Sequence, residues 1–199
     1  MLRWLALASI AVITIVLVVG LMLPNIISPG GSQQRKVLSL EEKATGPGQH
    51  LVAFDLEHYW LPTQRDYHLN DGTPYTGYDS TPPAYGPHWP ITAKWGIHED
   101  PVPNERQLHN LEHGGVTIQY TTQDPEIAKN IIELSQSLRA FPSCILVAPY
   151  PTMEHPIALT AWGVLLTLDK FDRKAIVDFV DFYRDQGPER TACAEMGGP

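Results

Sequence analysis

The chain has 199 residues, with 14 Lys and Arg against 22 Asp and Glu and a formal net charge of −8. That length suggests one domain plus an extension. The acid excess, with no cluster of Lys or Arg, argues against a nucleic-acid partner, because phosphate binding needs a basic patch.

From Trp4 to Leu23, 20 residues carry no charge and are dominated by Ala, Leu, Ile and Val. As a helix such a run rises about 30 Å, enough to cross a bilayer core. It is longer than the core of a cleaved secretory signal, roughly 7–15 residues, and lacks a small-x-small cleavage site. The expectation is a transmembrane anchor over residues 1–27. No cysteine follows it, so a lipid anchor is not indicated. Arg3 ahead of the span favours a cytoplasmic N-terminus, hence a single pass in the cell membrane with the rest of the chain extracytoplasmic. The two cysteines, Cys144 and Cys193, are compatible with an oxidising compartment. Either they pair, or both are free with Cys144 in a strand core.

Residues 28–50 hold Ser, Gly, Gln, Lys and Glu with little apolar pattern and read as a linker, flexible at Pro29-Gly30-Gly31-Ser32. Leu38 to Lys43 has the makings of one helical turn, stopped by Gly46-Pro47-Gly48. The extracytoplasmic domain is expected over 51–199.

Its first part, through Pro103, is irregular. Leu51 to Phe54 suits a short strand, but Asn70-Asp71-Gly72 and prolines at 74, 82, 83, 87, 90, 101 and 103 forbid long helices. Tyr59, Trp60, Tyr67, Tyr75, Tyr78, Tyr85, Trp89 and Trp95 are too many aromatics for a disordered segment. The expectation is an ordered, proline-stiffened wrap packed on a core by its rings.

Residues 104–186 are more regular. Asn104 suits the cap of a short helix through about His109, ended by Gly114-Gly115. Val116 to Tyr120 reads as a strand. Asp124-Pro125 starts a helix to about Arg139, with Ile127, Ile131, Leu134 and Leu138 on one face. Cys144 to Ala148 reads as a buried strand, Pro149 to Pro156 as a hairpin turn, and Ile157 to Leu168 as one longer strand. Asp169 or Asp172 starts a last helix, with Ile176, Phe179, Val180 and Tyr183 inward. The fold class is therefore α+β: a small mixed sheet with packed helices, preceded by the wrap and the anchor. The strand-helix-strand crossover favours a parallel pair.

Four of the eight histidines fall between Pro82 and Tyr120. His109 and His113 are four apart, one helical turn, so both imidazoles share a face. Such a pair with a third ligand is a common way to hold zinc or copper. His88 sits in Gly86-Pro87-His88-Trp89-Pro90, where proline fixes the backbone as a ligand requires. His68 is a possible fourth ligand. Met153 and His155 are further candidates, and a thioether would favour copper(I); for Met153, core packing is the plainer role. Glu112 suits an acceptor for a ligand-histidine N–H. His109-x-x-Glu112-His113 also matches the H-x-x-E-H zinc-hydrolase pattern, with Glu126 or Glu133 as the ready third ligand. The two glycines after His113 weaken that match. No G-x-S-x-G, phosphate-cradling glycine loop or C-x-x-C occurs. Asp55, Glu57 and His58 are as easily exposed charges as acid–base groups. His50, His58, His98 and His155 are ordinary surface or satisfied residues. Trp162-Gly163 suits packing over the histidine loop, the glycine admitting another backbone.

Pro82-Pro83-x-x-Gly86-Pro87-His88, Trp95-Gly96, the His109-Asn110-Leu111-Glu112-His113-Gly114-Gly115-Val116 block and Ala161-Trp162-Gly163 together resemble the bacterial domain-of-unknown-function family 3105. The resemblance covers about residues 65–187. It implies that His68, His88, His109 and His113 match recurrent histidines of that family. The chain departs from the pattern at Ala84-Tyr85, where Thr-Ser is usual, and at His98, where tyrosine is usual. His98 is then an extra ligand or a local substitution.

Three functions follow as expectations. The first is a membrane-anchored, extracytoplasmic metal-binding domain, for copper or else zinc, that handles metal or supports a membrane or electron-transfer complex. Its ligands would be His88, His109 and His113, with His68 as fourth and Glu112 behind them. The second is a metal-free accessory subunit whose histidines hold the wrap by hydrogen bonds. The third is a zinc hydrolase built on Glu112. An enzyme is the lesser expectation, and no catalytic residue is assigned.

Overall fold

The computed structural model describes residues 36, 38–51, 68–121, 123–139, 141–189 and 193. The expected anchor over 1–27, most of the expected strand at 51–54, and His58, Tyr59, Trp60 and Tyr67 lie outside them. Among the described residues no helix is long and apolar enough to cross a membrane.

Residues 38–50, expected as linker, carry two short elements. Helix α1 (Leu40–Lys43) opens on a reciprocal cap: Ser39 N–H donates to Glu42 Oε2 at 2.8 Å, and Glu42 N–H donates to Ser39 Oγ at 3.2 Å. Strand β1 (Gln49–His50) pairs antiparallel at the sheet edge. Two residues are too short for any periodic signal, which is why the strand is invisible in sequence.

Residues 68–95 hold no helix and no strand beyond an isolated bridge between His68 and His88, as the prolines require. Strand β2 (Gly96–Ile97) follows, then helix α2 (Asn104–Glu112). Asn104 does not cap α2. Pro103 occupies the cap position in extended backbone, its carbonyl accepting from Arg106 and Gln107 N–H at 3.1 Å. The helix runs three residues past His109. It closes with Gly114 N–H on Leu111 O (2.9 Å) and Gly115 N–H on Asn110 O (2.8 Å), a Schellman ending that needs Gly114 at its φ of 83°.

Strand β3 (Val116–Tyr120), helix α3 (Pro125–Ser137) and strand β4 (Ile145–Pro149) form the expected crossover, and β3 pairs parallel with β4. Asp124 caps α3, Oδ1 accepting from Glu126 and Ile127 N–H. Cys144 stands just outside β4 at a positive φ. It forms a disulfide with Cys193, with Cα atoms 5.3 Å apart.

Two expectations about the later strands fail. Ile157 to Leu168 is a hairpin, β5 (Ile157–Ala161) and β6 (Val164–Leu168), with Ala161 opposite Val164 and Trp162-Gly163 as a two-residue turn. Only the second turn residue, Gly163, has a positive φ (74°), the type II pattern rather than a primed hairpin turn, and Trp-Gly lacks the Asn-Gly or Asp-Gly signature. Nor does β4 form a hairpin with β5. The chain crosses β3, so that β5 pairs antiparallel with β3 on the side away from β4. The six-stranded mixed sheet has the order β1-β6-β5-β3-β4-β2, and Asp172-capped α4 (Arg173–Tyr183) completes the α+β fold.

Period-two alternation splits the sheet into two faces. Val116, Ile118, Tyr120, Ile145, Val147, Ile157 and Leu159 turn toward Ile131 and Leu134 of α3 and Ile176, Phe179, Val180 and Tyr183 of α4. Each fully buried Ile or Phe there contributes about 1.5–3 kcal/mol. The other face lies under α2 and the wrap. Leu108 and Leu111 pack with Trp162, Tyr78 and Tyr85, while Leu146 and Ala148 pack with Ala93, Val102 and Trp95. Between these patches runs a buried polar chain: Thr160 to Thr117, Thr117 to Gln119, Gln119 to Gln107, and Gln107 to the Val102 carbonyl.

Candidate metal centre

Helix α2 presents His109 and Glu112 three residues apart, and His113 follows as its C-cap, so the three side chains share one face. The wrap brings His68 and His88 to that face. It is pinned there by Asn110, whose Oδ1 accepts from Ala93 N–H at 2.7 Å and whose Nδ2–H donates to Ala93 O at 2.9 Å. Leu69 N–H donates to His88 O (2.7 Å), Trp89 N–H to Glu105 O (3.1 Å), and Tyr78 O–H to Pro87 O (2.8 Å). From His68 onward the wrap is held by such bonds and by its rings, not by regular structure.

The five side chains named from the sequence therefore meet. One ligand atom from each of His68, His88 and His109 lies within 4.8 Å of the others, and the same holds for His109, Glu112 and His113. Ring centroids are 4.8 Å apart for His68 and His88, 5.3 Å for His88 and His109, and 4.7 Å for the stacked His109 and His113. His88 is 0 % exposed, Glu112 1 %, His113 4 % and His109 7 %, whereas His68 is exposed. Solvent therefore reaches the cluster on the His68 side.

Hydrogen bonds fix two of the rings. His88 Nδ1 is 2.8 Å from Gly86 O, and His109 Nδ1 is 2.8 Å from Trp89 O. A carbonyl only accepts, so each Nδ1 carries a proton, and Nε2 is the atom each ring has left to offer a cation. Histidines that bind metals are typically held this way. His88 Nε2 then points at Glu112 Oε2, 3.1 Å away, and His68 Nε2 stands 3.7 Å from the same oxygen. Two lone pairs facing each other at 3.1 Å need a proton or a cation between them. His113 is buried with both ring nitrogens lacking a hydrogen-bond partner. Burial, then the neighbouring His113 and His88, pushes the pKa of His109 down to about 4 against the opposing pull of Glu112 and the Trp89 carbonyl. Burial likewise lowers His113, against Glu189 and Glu112. At neutral pH His109 is thus a neutral lone-pair donor. A divalent cation fits this set: imidazole nitrogens and one carboxylate, buried, oriented and short of positive charge.

The remaining candidates lie elsewhere. Met153 is buried against Ala158 and Leu165. His155 pairs with Asp169 at 2.9 Å, His98 Nε2 lies 2.8 Å from Lys94 O, and His50 Nε2 lies 3.2 Å from Gly46 O. Glu126 and Glu133 are exposed on α3 and do not join the cluster. Cys144, Asp185 and Cys193 also stand close together, but a disulfide offers no thiolate to a metal. Trp162 packs edge-on to His88, with ring centroids 5.9 Å apart, and Gly163 N–H donates to Ala84 O of the wrap at 2.9 Å, the backbone approach expected of that glycine. Sequence reasoning missed Glu189, whose Oε2 lies 3.3 Å from His113 Nδ1.

An α+β domain with a buried cluster of histidines and one glutamate is thus the class of molecule that the fold and geometry define. The family model described as "Protein of unknown function (DUF3105)" matches residues 68–195, and the chain belongs to that family. The match begins at His68 and takes in every residue of the cluster. No curated protein and no solved structure matches the chain.

Proposed function

We propose that this chain is a metal-binding domain of the cell envelope, anchored by its N-terminal apolar segment and exposed outside the cytoplasm. Its centre takes one copper or zinc ion through His68, His88 and His109, with Glu112 and His113 completing the donor set. The observation that carries this reading is the orientation of His88 and His109. Both donate Nδ1–H to backbone carbonyls, and His88 turns Nε2 toward the buried Glu112 carboxylate. With Met153 in the core, the donors are nitrogen and oxygen, which favours a divalent ion over copper(I). The apolar run from Trp4 to Leu23 and the Cys144–Cys193 disulfide support the placement outside the cytoplasm. Metal handling, or support of a membrane or electron-transfer complex, are the roles such a centre serves.

The hydrolase reading gains nothing from the geometry, because its expected ligands on α3, Glu126 and Glu133, do not join the group that holds Glu112. In the metal-free alternative, Glu112 and the histidines only hold the wrap down. Elemental analysis of the purified full chain after incubation with Zn2+ or Cu2+ separates the two. About one ion per chain is expected, and the double substitution His109→Ala and His113→Ala should abolish uptake. Uptake unchanged in that variant would put the metal elsewhere.

A further inference from the structure

In the candidate centre, His88 and His109 each have an oxygen acceptor at Nδ1. His113 completes the series only if Glu189 is counted. Its Nδ1 lies 3.3 Å from Glu189 Oε2, outside hydrogen-bond alignment, and neither ring nitrogen has another hydrogen-bond partner. The Glu189 side chain is 38 % exposed, so it has room to turn into line.

Glu189 reaches this position because the C-terminal tail is stitched to the end of α2. Asp185 N–H donates to Gly114 O at 2.6 Å, and Glu189 N–H donates to Glu112 O at 3.2 Å. Between them the backbones nearly touch: a Cβ on Gly187 would stand 2.2 Å from Gly114 N and 2.3 Å from Glu112 O. Further along, Cys193 accepts at its carbonyl from Trp95 Nε1–H at 3.0 Å and is bonded to Cys144 at the mouth of β4. The tail thus has a covalent tie, a tight glycine contact and one carboxylate delivered to one histidine.

We propose that Glu189 is the positioning residue of His113: its carboxylate accepts a hydrogen bond from Nδ1–H and turns Nε2 to the metal, so metal affinity depends on the disulfide-tied tail. The inference rests on the metal-binding reading of the centre. An anionic acceptor also makes the ring a stronger donor than a carbonyl does, and loss of such a partner typically weakens metal binding by about 10–100-fold.

The test is the dissociation constant of the full chain for Zn2+, measured by competition with a chromogenic chelator, for wild type, Glu189→Ala, Glu189→Gln, His113→Ala and the Glu189→Ala/His113→Ala double variant. Glu189→Ala should weaken binding by roughly tenfold or more. Glu189→Gln should recover part of that loss, since an amide oxygen still accepts the ring proton. In the His113→Ala background, Glu189→Ala should add less than about twofold, because coupled residues are not additive. The melting temperature of the metal-free protein should be the same for Glu189→Ala and wild type, which a merely structural role would not allow. Wild-type affinity in Glu189→Ala, or equal losses with and without His113, overturns the role of Glu189 and leaves the centre standing. Failure of wild type itself to bind Zn2+ overturns the centre and the inference together.

Discussion

On one face of the sheet, β3 turns Val116, Ile118 and Tyr120 toward helices α3 and α4, into the largest apolar cluster of the described residues. On the other, the same strand turns Thr117 and Gln119 into a buried hydrogen-bonded chain that reaches Gln107 of α2, the helix that carries His109 and Glu112. The first face is assembled by non-directional burial, which rewards area and tolerates small shifts. The second is assembled by directional bonds, each of which must be satisfied or costs energy. The α2 side keeps apolar patches of its own around Leu108 and Leu146, but the larger apolar cluster lies on the α3/α4 side and carries more of the fold's stability. Substitutions should therefore sort by face, one set moving stability and the other moving metal affinity.

The largest effect on stability is expected at Phe179. It is fully buried in α4 and packs against Tyr183 with ring centroids 4.8 Å apart. Phe179→Ala should cost about 3–5 kcal/mol in urea unfolding. The folded fraction should still bind metal as wild type does. A loss of affinity in folded Phe179→Ala would show that the helix-covered face also shapes the centre.

A smaller effect, specific to the polar face, is expected with pH. In the metal-free protein His109 has a folded pKa of about 4 against an ordinary value of 6.5. Between those values the unfolded chain binds more protons, so stability rises with pH. The contribution is whole above pH 6.5 and is lost as pH falls through 4. Wild type should therefore lose stability relative to His109→Ala between pH 7 and pH 4, while its margin over Phe179→Ala stays constant. A margin over His109→Ala that does not move with pH would mean the ring is not buried neutral.

The two faces also differ in how far sequence reveals them. Asp124-Pro125 marks the start of α3, and Ile176, Phe179, Val180 and Tyr183 mark the inner face of α4, because capping and helical spacing are local signals. The His109/His113 spacing and the proline-fixed His88 bring the centre within reach of sequence for the same reason. What stays hidden is set by contacts between distant segments. Nothing near Trp162-Gly163 announces a hairpin, so β5 and β6 read as one strand. Nothing between Pro149 and Pro156 tells that the chain passes over β3 to reach its partner. Asn110 reads as one residue of a motif, yet it pins the wrap through both ends of its amide. Glu189 is 76 residues beyond His113 and reaches it through a disulfide and a glycine contact that no periodicity encodes.

The smallest predicted effect bears most directly on the independence of the faces. Asp124 caps α3 with Oδ1 on the N–H groups of Glu126 and Ile127, at 2.9 and 3.4 Å. It is exposed, and removing it leaves no buried group without a partner. Asp124→Ala should cost about 1 kcal/mol, the usual worth of such a cap, and Zn2+ affinity should stay within about twofold of wild type. The connection to watch is β3, which carries Ile118 on the α3 side and Gln119 on the α2 side in adjacent positions. A frayed α3 start that lowered metal affinity would have to act through that strand, and the division of labour between the faces would then fail at its thinnest point.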